Sequence, residues 1–188
     1  MNSELVKAIN EALHAAPKMQ SEPPWRLVTH TSAGGALAAG FDQTTEDLIV
    51  VSENGQAIFD GTNGNRSYRN RENSAYDQTR LEAERLDQKG HNPIRMAGEH
   101  GGGLPLTTSD GWSIDIFQIH WPTAFSVLHH PGASIYFLAP KWKDYAKDAS
   151  FRVLMKSEGL PVAFGFSWSG NSLVWLDRSD LFIWHRDT

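Results

Sequence analysis

Apolar positions recur with two different periods along this chain. Near the N-terminus they follow helical spacing, at Leu5, Ile9, Ala12, Leu13 and Ala16. Ser3 suits the N-cap position and Pro17 ends the pattern, so residues 1–17 are expected to contain one amphipathic helix. We expect its apolar stripe to pack on the sheet of its own domain, with docking to another chain as the alternative.

From Trp25 onward the pattern changes to short runs rich in β-branched and aromatic residues, separated by turn sequences such as Glu53-Asn54-Gly55. The first predicted strands are Trp25–Thr29, Ala36–Phe41, Asp47–Ser52, Gln56–Asp60 and Asn65–Tyr68. Later ones are Ile94–Ala97, Trp112–Ile119, Ala124–Leu128, Ser134–Leu138 and Phe151–Met155, with three more in residues 161–188. A strand every ten residues or so, with little helix, is typical of a β meander, sandwich or barrel.

Residues 69–89 interrupt this pattern with a charged stretch whose only large apolar side chains are Tyr76, Leu81 and Leu86. This composition predicts that residues 69–89 form an excursion at the surface, with one short helix around Thr79–Gln88. The length fits a single domain, residues 1–188. Its predicted parts are the helix (1–17), a first β meander (25–68), the excursion (69–89) and a second β part (90–188).

The first and last strand groups repeat each other at an offset of 125 residues. Ala38, Gly40, Phe41, Leu48 and Ile58 fall on identical residues at Ala163, Gly165, Phe166, Leu173 and Ile183. Both copies read as three strands joined by short polar turns. The predicted fold is therefore mainly β, a sandwich or open barrel in which two antiparallel meanders face each other, with one N-terminal α-helix.

Composition narrows the function classes. The chain has no Cys, which excludes disulfide frameworks, thiolate zinc sites, iron–sulfur clusters and Cys nucleophiles. Its 22 acidic and 17 basic side chains give a net charge of -5, which argues against non-specific nucleic-acid binding. No apolar run approaches the ~18 residues of a membrane span. The N-terminus lacks the basic start and continuous apolar stretch of a signal peptide, so a cytoplasmic protein is expected.

The string GEHGGGLPLTTSDGW, residues 98–112, is the most unusual in the chain. Consecutive glycines between strand patterns indicate positive φ angles or a close approach of another group. A tight structural loop and a loop that contacts a ligand or partner are both consistent with it. The candidate binding residues in this string are His100, Gly101, Gly102, Gly103, Asp110 and Trp112.

Two resemblances follow from these motifs. The C-terminal copy resembles the blade unit of WD40-like β-propellers, on Gly165, Phe166, Ser167, Ser169 and Gly170, and on the final Trp184, His185 and Arg186. From Trp25 onward the chain also resembles small bacterial proteins without assigned function, in which a HGGGLP-x-T-x-DGW core lies between similar β segments. The first resemblance implies blade-like meanders, and the second implies no chemistry.

A hydrolase reading of the same string rests on HGGG, the oxyanion-hole pattern of lipases and esterases. Ser167, Asp177 or Asp180, and His185 even follow in the chain order of an α/β-hydrolase. However, the nucleophile elbow needs Gly where this chain has Ser169, and no alternation of strands and long helices builds a parallel sheet. Catalytic residues are therefore not assigned, and His100 is only a weak candidate.

The eight histidines show no metal-ligand spacing such as HxH or HExxH, so no metal site and no cofactor are predicted. Most of the large aromatic residues after position 111, Trp121 among them, are expected in the core. Trp142 and Tyr145 differ, because they lie in the charged string PKWKDYAKD. A Trp and a Tyr among charges are favoured at interaction surfaces, although this loop can also fold onto a sheet edge.

These observations together predict a non-enzymatic protein that binds another macromolecule, in bacteria a toxin-neutralising immunity protein or a similar accessory factor. The expected partner is a protein, and an acidic surface would steer a basic one. Nucleic acid and membranes are not expected as partners, and a homodimer stays open. The alternatives are a small hydrolase that uses His100 and the Gly101–Gly103 loop, and a small-ligand binder with that loop over the mouth of the β structure.

Overall fold

The computed structural model describes residues 3–19, 21, 23–88, 90, 92–132 and 151–187. They form one α-helix and fifteen β-strands, in antiparallel sheets that do not close into a barrel. The predicted mainly β fold with one N-terminal helix is confirmed. The chain forms two compact units, a helix unit (1–20 and 107–160) and a meander unit (21–106 and 161–188). The single domain expected from the sequence stays a prediction.

The meander unit contains three sheets. The first has the strand order β5-β4-β3-β2-β9, with β2 at Ala36–Phe41, β3 at Asp47–Ser52, β4 at Gly55–Asp60, β5 at Arg66–Asn70 and β9 at Ala97–Gly98. The second has the order β1-β15-β14-β13, with β1 at Arg26–Ser32, β13 at Ala163–Phe166, β14 at Ser172–Leu176 and β15 at Asp180–His185. A small third sheet joins β6 (Tyr76–Asp77), β7 (Glu82–Ala83) and β8 (Ile94–Arg95).

The repeat in the sequence is also a repeat in strand register. Ala38 pairs with Val51 and Phe41 with Leu48 in the first sheet. In the second sheet Ala163 pairs with Leu176 and Phe166 with Leu173, which is the same register shifted by the offset of the repeat. The connecting turns match as well, because the N–H groups of Asp42 and Ser167 donate to the carbonyls of Asp47 and Ser172, each at 2.9 Å. The two meanders are thus copies of one structural unit.

One apolar core joins the two large sheets into a sandwich. The first sheet contributes Phe41, Val50 and Phe59, and the second contributes Val174, Leu176 and Ile183. In the repeat, Val174 corresponds to Ile49, whereas the residue that the first sheet contributes to this core is the next one, Val50. Because neighbouring residues of a strand point to opposite sides, the two copies meet through opposite faces. The remaining face of the first sheet, with Ile49, packs with Ala83, Ile94 and Met96 of the small sheet region. Both faces of the first sheet are therefore buried.

The short helix expected around Thr79–Gln88 is wrong. This segment instead forms β7 and irregular turns, and Leu81 has a positive φ of 57°, which no right-handed helix accommodates. Backbone groups of this region form hydrogen bonds with the fully buried side chain of Gln56 instead of with each other as in a helix. Its amide group donates to the carbonyls of Ser74 and Glu84, both at 2.8 Å, and its oxygen accepts from the Leu86 N–H. This one polar side chain of the first meander therefore helps to hold the charged stretch in place.

The helix unit consists of α1 (Ser3–Ala15) and a sheet of order β10-β11-β12, with strands Ser113–His120, Thr123–His129 and Phe151–Glu158. Leu13 of α1 is buried with Phe125, Val127 and Val153 of this sheet. The helix therefore packs on a sheet of its own unit, as its apolar stripe predicts. The expected strand Ser134–Leu138 lies outside the described residues. No helix in the described part of the chain has the length and apolarity needed to cross a membrane.

Asp60 fixes the turn between β4 and β5 and makes stability depend on pH. Its carboxylate accepts hydrogen bonds from the N–H and hydroxyl of Thr62, at 2.8 and 2.6 Å, and from the Asn63 amide group. Burial raises the pKa of Asp60, but these hydrogen bonds outweigh it and hold the pKa below its usual value. The ionised carboxylate therefore stabilises the folded chain at every pH above its unfolded-state pKa.

We expect Asp60→Ala to lower the free energy of unfolding by about 1 kcal/mol at neutral pH. Because the folded-state pKa is the lower one, this difference should shrink as the pH falls below about 4. Urea unfolding of both proteins across this pH range measures it. Asp60→Asn keeps an acceptor without the charge and should lie between them. An Asp60→Ala defect that stays constant down to about pH 2 would contradict this role of the carboxylate.

Candidate functional site

The start of the glycine-rich string, residues 98–101, forms a tight turn at the surface of the meander unit. Gly98 and Gly101 exchange two backbone hydrogen bonds, at 2.9 and 3.0 Å, so Glu99 and His100 occupy the tip of the turn. Both tip residues are exposed, and Glu99 pairs with Arg178 at 2.6 Å. His100 is thus presented to solvent by the turn that follows β9.

The glycines of this turn have different structural roles. Gly101 and Gly102 have φ angles of 117° and 83°, in the region that favours glycine. A Cβ on Gly102 would lie 2.1 Å from the Met96 carbonyl oxygen, whereas a Cβ on Gly103 would meet nothing within 4 Å. The N–H of Gly101 is donated to Gly98 and is not available to an oxyanion. Gly101 and Gly102 therefore build the turn.

His100 borders a groove in the meander unit, which we call the acidic groove. The ring of His100 lies 6.2 Å from that of Tyr76, measured between centroids. Tyr76 lines the groove together with residues 73–75, Asp77, Arg80, Glu82, Glu84 and Pro93. The volume is about 460 Å³, enough for one long side chain of a partner or a small ligand. The structure thus brings one predicted residue, His100, to a concave surface that the sequence did not reveal.

Three carboxylates and one guanidinium make the acidic groove negative. Arg80 lies 3.7 Å from Asp77, while Glu82 and Glu84 add two further carboxylates. The backbone N–H groups of Arg80 and Thr79 donate to Asp77 and, against a small opposing effect of burial, lower the pKa of Asp77. Asp77 is therefore ionised at any pH at which the protein is expected to work.

Tyr76 supplies a phenol group at the wall of this groove. Burial and, to a lesser extent, the charge of the Asp77 carboxylate raise the pKa of Tyr76, so the hydroxyl keeps its proton. The hydroxyl oxygen is shielded from solvent and has no hydrogen-bond partner within the described ranges. Ala75, directly before Tyr76, and Leu81, five residues after it, have positive φ angles of 49° and 57°. Such angles are uncommon for residues with a Cβ. The groove therefore combines negative charge with an aromatic side chain whose hydroxyl is buried.

Asp110 and Trp112 belong to the helix unit and form a turn of their own. The Thr108 hydroxyl donates to Asp110 at 2.6 Å, and the Trp112 N–H donates to Thr108 Oγ1 at 2.9 Å. The Trp112 ring is 6 % exposed and lies 4.7 Å from that of His130. These two candidates are thus placed in a different unit from His100. Trp142 and Tyr145 lie outside the described residues.

Two residues of the hydrolase hypothesis, Ser167 and His185, are buried in a polar turn network, whereas Asp177 and Asp180 are partly exposed. Ser167 is 1 % exposed, and its oxygen accepts from the Ser172 N–H at 3.0 Å. His185 Nδ1 lies 3.0 Å from the hydroxyl of Ser172 and not from that of Ser167. Ser172 is itself fully buried and donates to the Gly61 carbonyl. The contacts stabilise two turns and, among the residues that the structure describes, leave no exposed serine nucleophile beside His185.

Two tryptophans from the group of aromatic residues expected mostly in the core are exposed, Trp121 strongly and Trp168 at 47 %. Trp121 lies at the tip between β10 and β11 and is 85 % exposed. The alternation of residues along the strands instead predicts a position among the core aromatics. Gly159 N–H donates to the Pro122 carbonyl at 2.7 Å, which brings the 62 % exposed Leu160 to the same end of the sheet. The Trp-Pro pair in a two-residue turn is the signal that reveals such a tip. Exposed Trp side chains of this kind are typical of protein-binding surfaces.

No group of three or more His, Asp or Glu residues in the described ranges is placed to hold a metal ion. The chain matches no protein-family model, no curated protein and no solved structure. Its resemblances to propeller blades and to small bacterial proteins stay predictions.

Proposed function

We propose that this protein acts by binding another protein, and that a basic segment of the partner occupies the acidic groove. The observation that carries the proposal is the groove itself, a concave surface whose lining includes Asp77, Glu82, Glu84 and Tyr76. In bacteria, a cytoplasmic immunity protein that neutralises a basic toxin fits this mode of action. The resemblance to small bacterial β proteins is compatible with such a role and adds no chemistry to it.

A guanidinium group matches the chemistry of the groove. It can donate to two carboxylates at once, and its flat face can lie against an aromatic ring such as that of Tyr76. A lysine ammonium offers charge without this planar fork, so arginine should be the preferred side chain.

Long-range electrostatics support the same partner. The net charge of -5 attracts a basic protein before contact and should speed association at low ionic strength. Trp121 and Leu160 provide an exposed apolar pair of the kind that contributes binding energy once two proteins touch. Both features suit the binding of a basic protein.

We expect an arginine-glycine peptide to bind the wild-type protein and to bind Glu82→Gln/Glu84→Gln about tenfold more weakly, because two groove charges are lost. Fluorescence anisotropy of the labelled peptide measures this difference. Glu53→Gln/Glu158→Gln is the matched control, since both of its residues are exposed, lie outside the groove and change the net charge equally. Equal weakening in the two variants would show a non-specific charge effect and refute the groove as the site.

A further inference from the structure

The outer strand of the first sheet carries two arginines and the turn after it a third, and within the described residues these three lack the carboxylate partners that several other arginines have. Arg66 and Arg69 lie in β5, and Arg71 follows in the next turn; we call the three the arginine edge. Arg80, Arg85 and Arg178 each lie within 4 Å of a carboxylate oxygen. Across the described stretches of chain, no such ion pair involves the arginine edge. A local basic patch therefore exists on an acidic protein.

A β-bulge places two of these arginines on one face. Arg69 pairs with Ala57 and Arg66 with Phe59, because the register shifts between them. Ala57 and Phe59 are two residues apart in β4 and so point to the same side of the sheet. Without the bulge, Arg66 and Arg69 would alternate across it. The shift thus concentrates positive charge on one side of the strand.

The cations of the arginine edge are close enough to influence each other. Burial lowers the pKa of Arg69, and repulsion by Arg71 and Arg66 lowers it further. The Arg69 guanidinium donates to the Asn54 carbonyl at 3.0 Å, which fixes its position. Asn70 accepts from the N–H groups of Glu72 and Asn73, which fixes the turn that carries Arg71. The patch is therefore pre-organised, and an anion would relieve its internal repulsion.

β5 is also a sheet edge. It ends the strand order β5-β4-β3-β2-β9 and pairs only with β4 among the described strands. An edge strand offers backbone donors and acceptors to an added strand, and charged side chains on it discourage indiscriminate pairing. Arginines exclude basic strands and favour acidic ones. Charge and backbone therefore select the same occupant, an extended acidic chain.

We propose that the arginine edge binds an extended acidic segment of a partner protein, which adds to the first sheet as a strand beside β5. Main-chain hydrogen bonds hold such a strand, and its carboxylates accept paired hydrogen bonds from the guanidinium groups. This surface differs from the acidic groove in location and sign, so it stands independently of the function proposed above. It gives the protein two recognition surfaces of opposite charge.

A synthetic peptide of alternating Glu and Thr tests this proposal. We expect it to bind the wild-type protein and to bind Arg66→Gln/Arg69→Gln/Arg71→Gln about 50-fold more weakly, as the loss of three ion pairs implies. Lys7→Gln/Lys18→Gln/Lys156→Gln changes the net charge equally, on exposed residues of the helix unit, and should retain the affinity. Hydrogen exchange of the wild-type protein gives a second readout that needs no variant, since a bound strand should slow the outward amides of β5.

Four results would overturn the proposal. Equal weakening in both triple variants would reduce binding to net charge. If a single-stranded DNA with the same charge as the peptide bound more tightly than the peptide, and this binding needed the arginines, the occupant would be nucleic acid. Self-association in sedimentation velocity that disappears in the arginine variant would identify it as a second copy of this chain. Unchanged exchange of the β5 amides with bound peptide would exclude strand addition.

Discussion

Replacement of Arg85 by methionine is expected to lower the free energy of unfolding by about 3–5 kcal/mol, the range for breaking a buried ion pair by removing one partner. The Arg85 side chain is 2 % exposed. Its Nη1 lies 2.8 Å from oxygens of both Asp42 and Asp47, and its Nη2 lies 2.8 Å from Asp87. The Asp87 hydrogen bonds most strongly, and then those to Asp42 and Asp47, raise the pKa of Arg85 despite its burial. Without the guanidinium, the 2 % exposed Asp42 loses a cation that compensates its charge.

Arg80→Met is the control for this change. The ion pair of Arg80 with Asp77 joins exposed side chains at 3.7 Å, so its loss should change stability by less than about 1 kcal/mol. Guanidinium chloride unfolding, followed by circular dichroism, compares the two variants. Asp42→Asn added to Arg85→Met should recover part of the loss, because it removes the stranded charge. If Arg85→Met were no more destabilising than Arg80→Met, the three-carboxylate cluster would not hold residues 84–87 to the first meander.

The second large effect concerns the glycine turn. Gly102→Ala is expected to lower the free energy of unfolding by at least about 2 kcal/mol, since left-handed backbone is unfavourable for residues with a Cβ. The new Cβ would also lie 2.1 Å from the backbone oxygen of Met96. Gly103→Ala is the matched control, because a Cβ there would meet nothing within 4 Å. It should change the free energy of unfolding by no more than about 0.5 kcal/mol.

Thermal unfolding of the two alanine variants decides what the glycines do. A large loss at Gly102 alone shows that this glycine is required by the turn. Folding that is unchanged in both variants, with peptide binding lost in both, would instead make the glycines part of a binding loop. The comparison therefore separates the two explanations that the HGGG string leaves open.

The repeated meanders are the part of the fold that the sequence predicts best. Alternating apolar positions and turn residues are local signals, and Ala36–Phe41 and Asp47–Ser52 have the predicted bounds. The local sequence does not show that the two copies use opposite faces. Phe41 and Phe166, for example, occupy equivalent positions and are the same residue type. Only the packing of the sheets distinguishes them.

The acidic groove could not be predicted in the same way. Residues 69–89 have a charged, helix-like composition, yet Gln56, in a distant strand, supplies the hydrogen bonds that hold Ser74, Glu84 and Leu86. That polar tertiary contact overrides local propensity. His100 was identified because glycines surround it, whereas its neighbour Tyr76 carries no sequence signal of its own. Trp121 shows a different error, because the sequence groups it with the large aromatic residues expected in the core, whereas it lies in the turn after β10 and is exposed.

The most direct test of the central claim is an NMR titration of the isotope-labelled protein with N-acetyl-arginine amide. A groove that recognises a basic partner should place the largest amide shifts in residues 73–84, with a smaller shift at His100. N-acetyl-lysine amide should shift the same residues more weakly, and N-acetyl-aspartate amide should leave them unchanged. Shifts spread over the acidic residues of the whole chain, or concentrated away from residues 73–84, would contradict the assignment of this groove as the binding site.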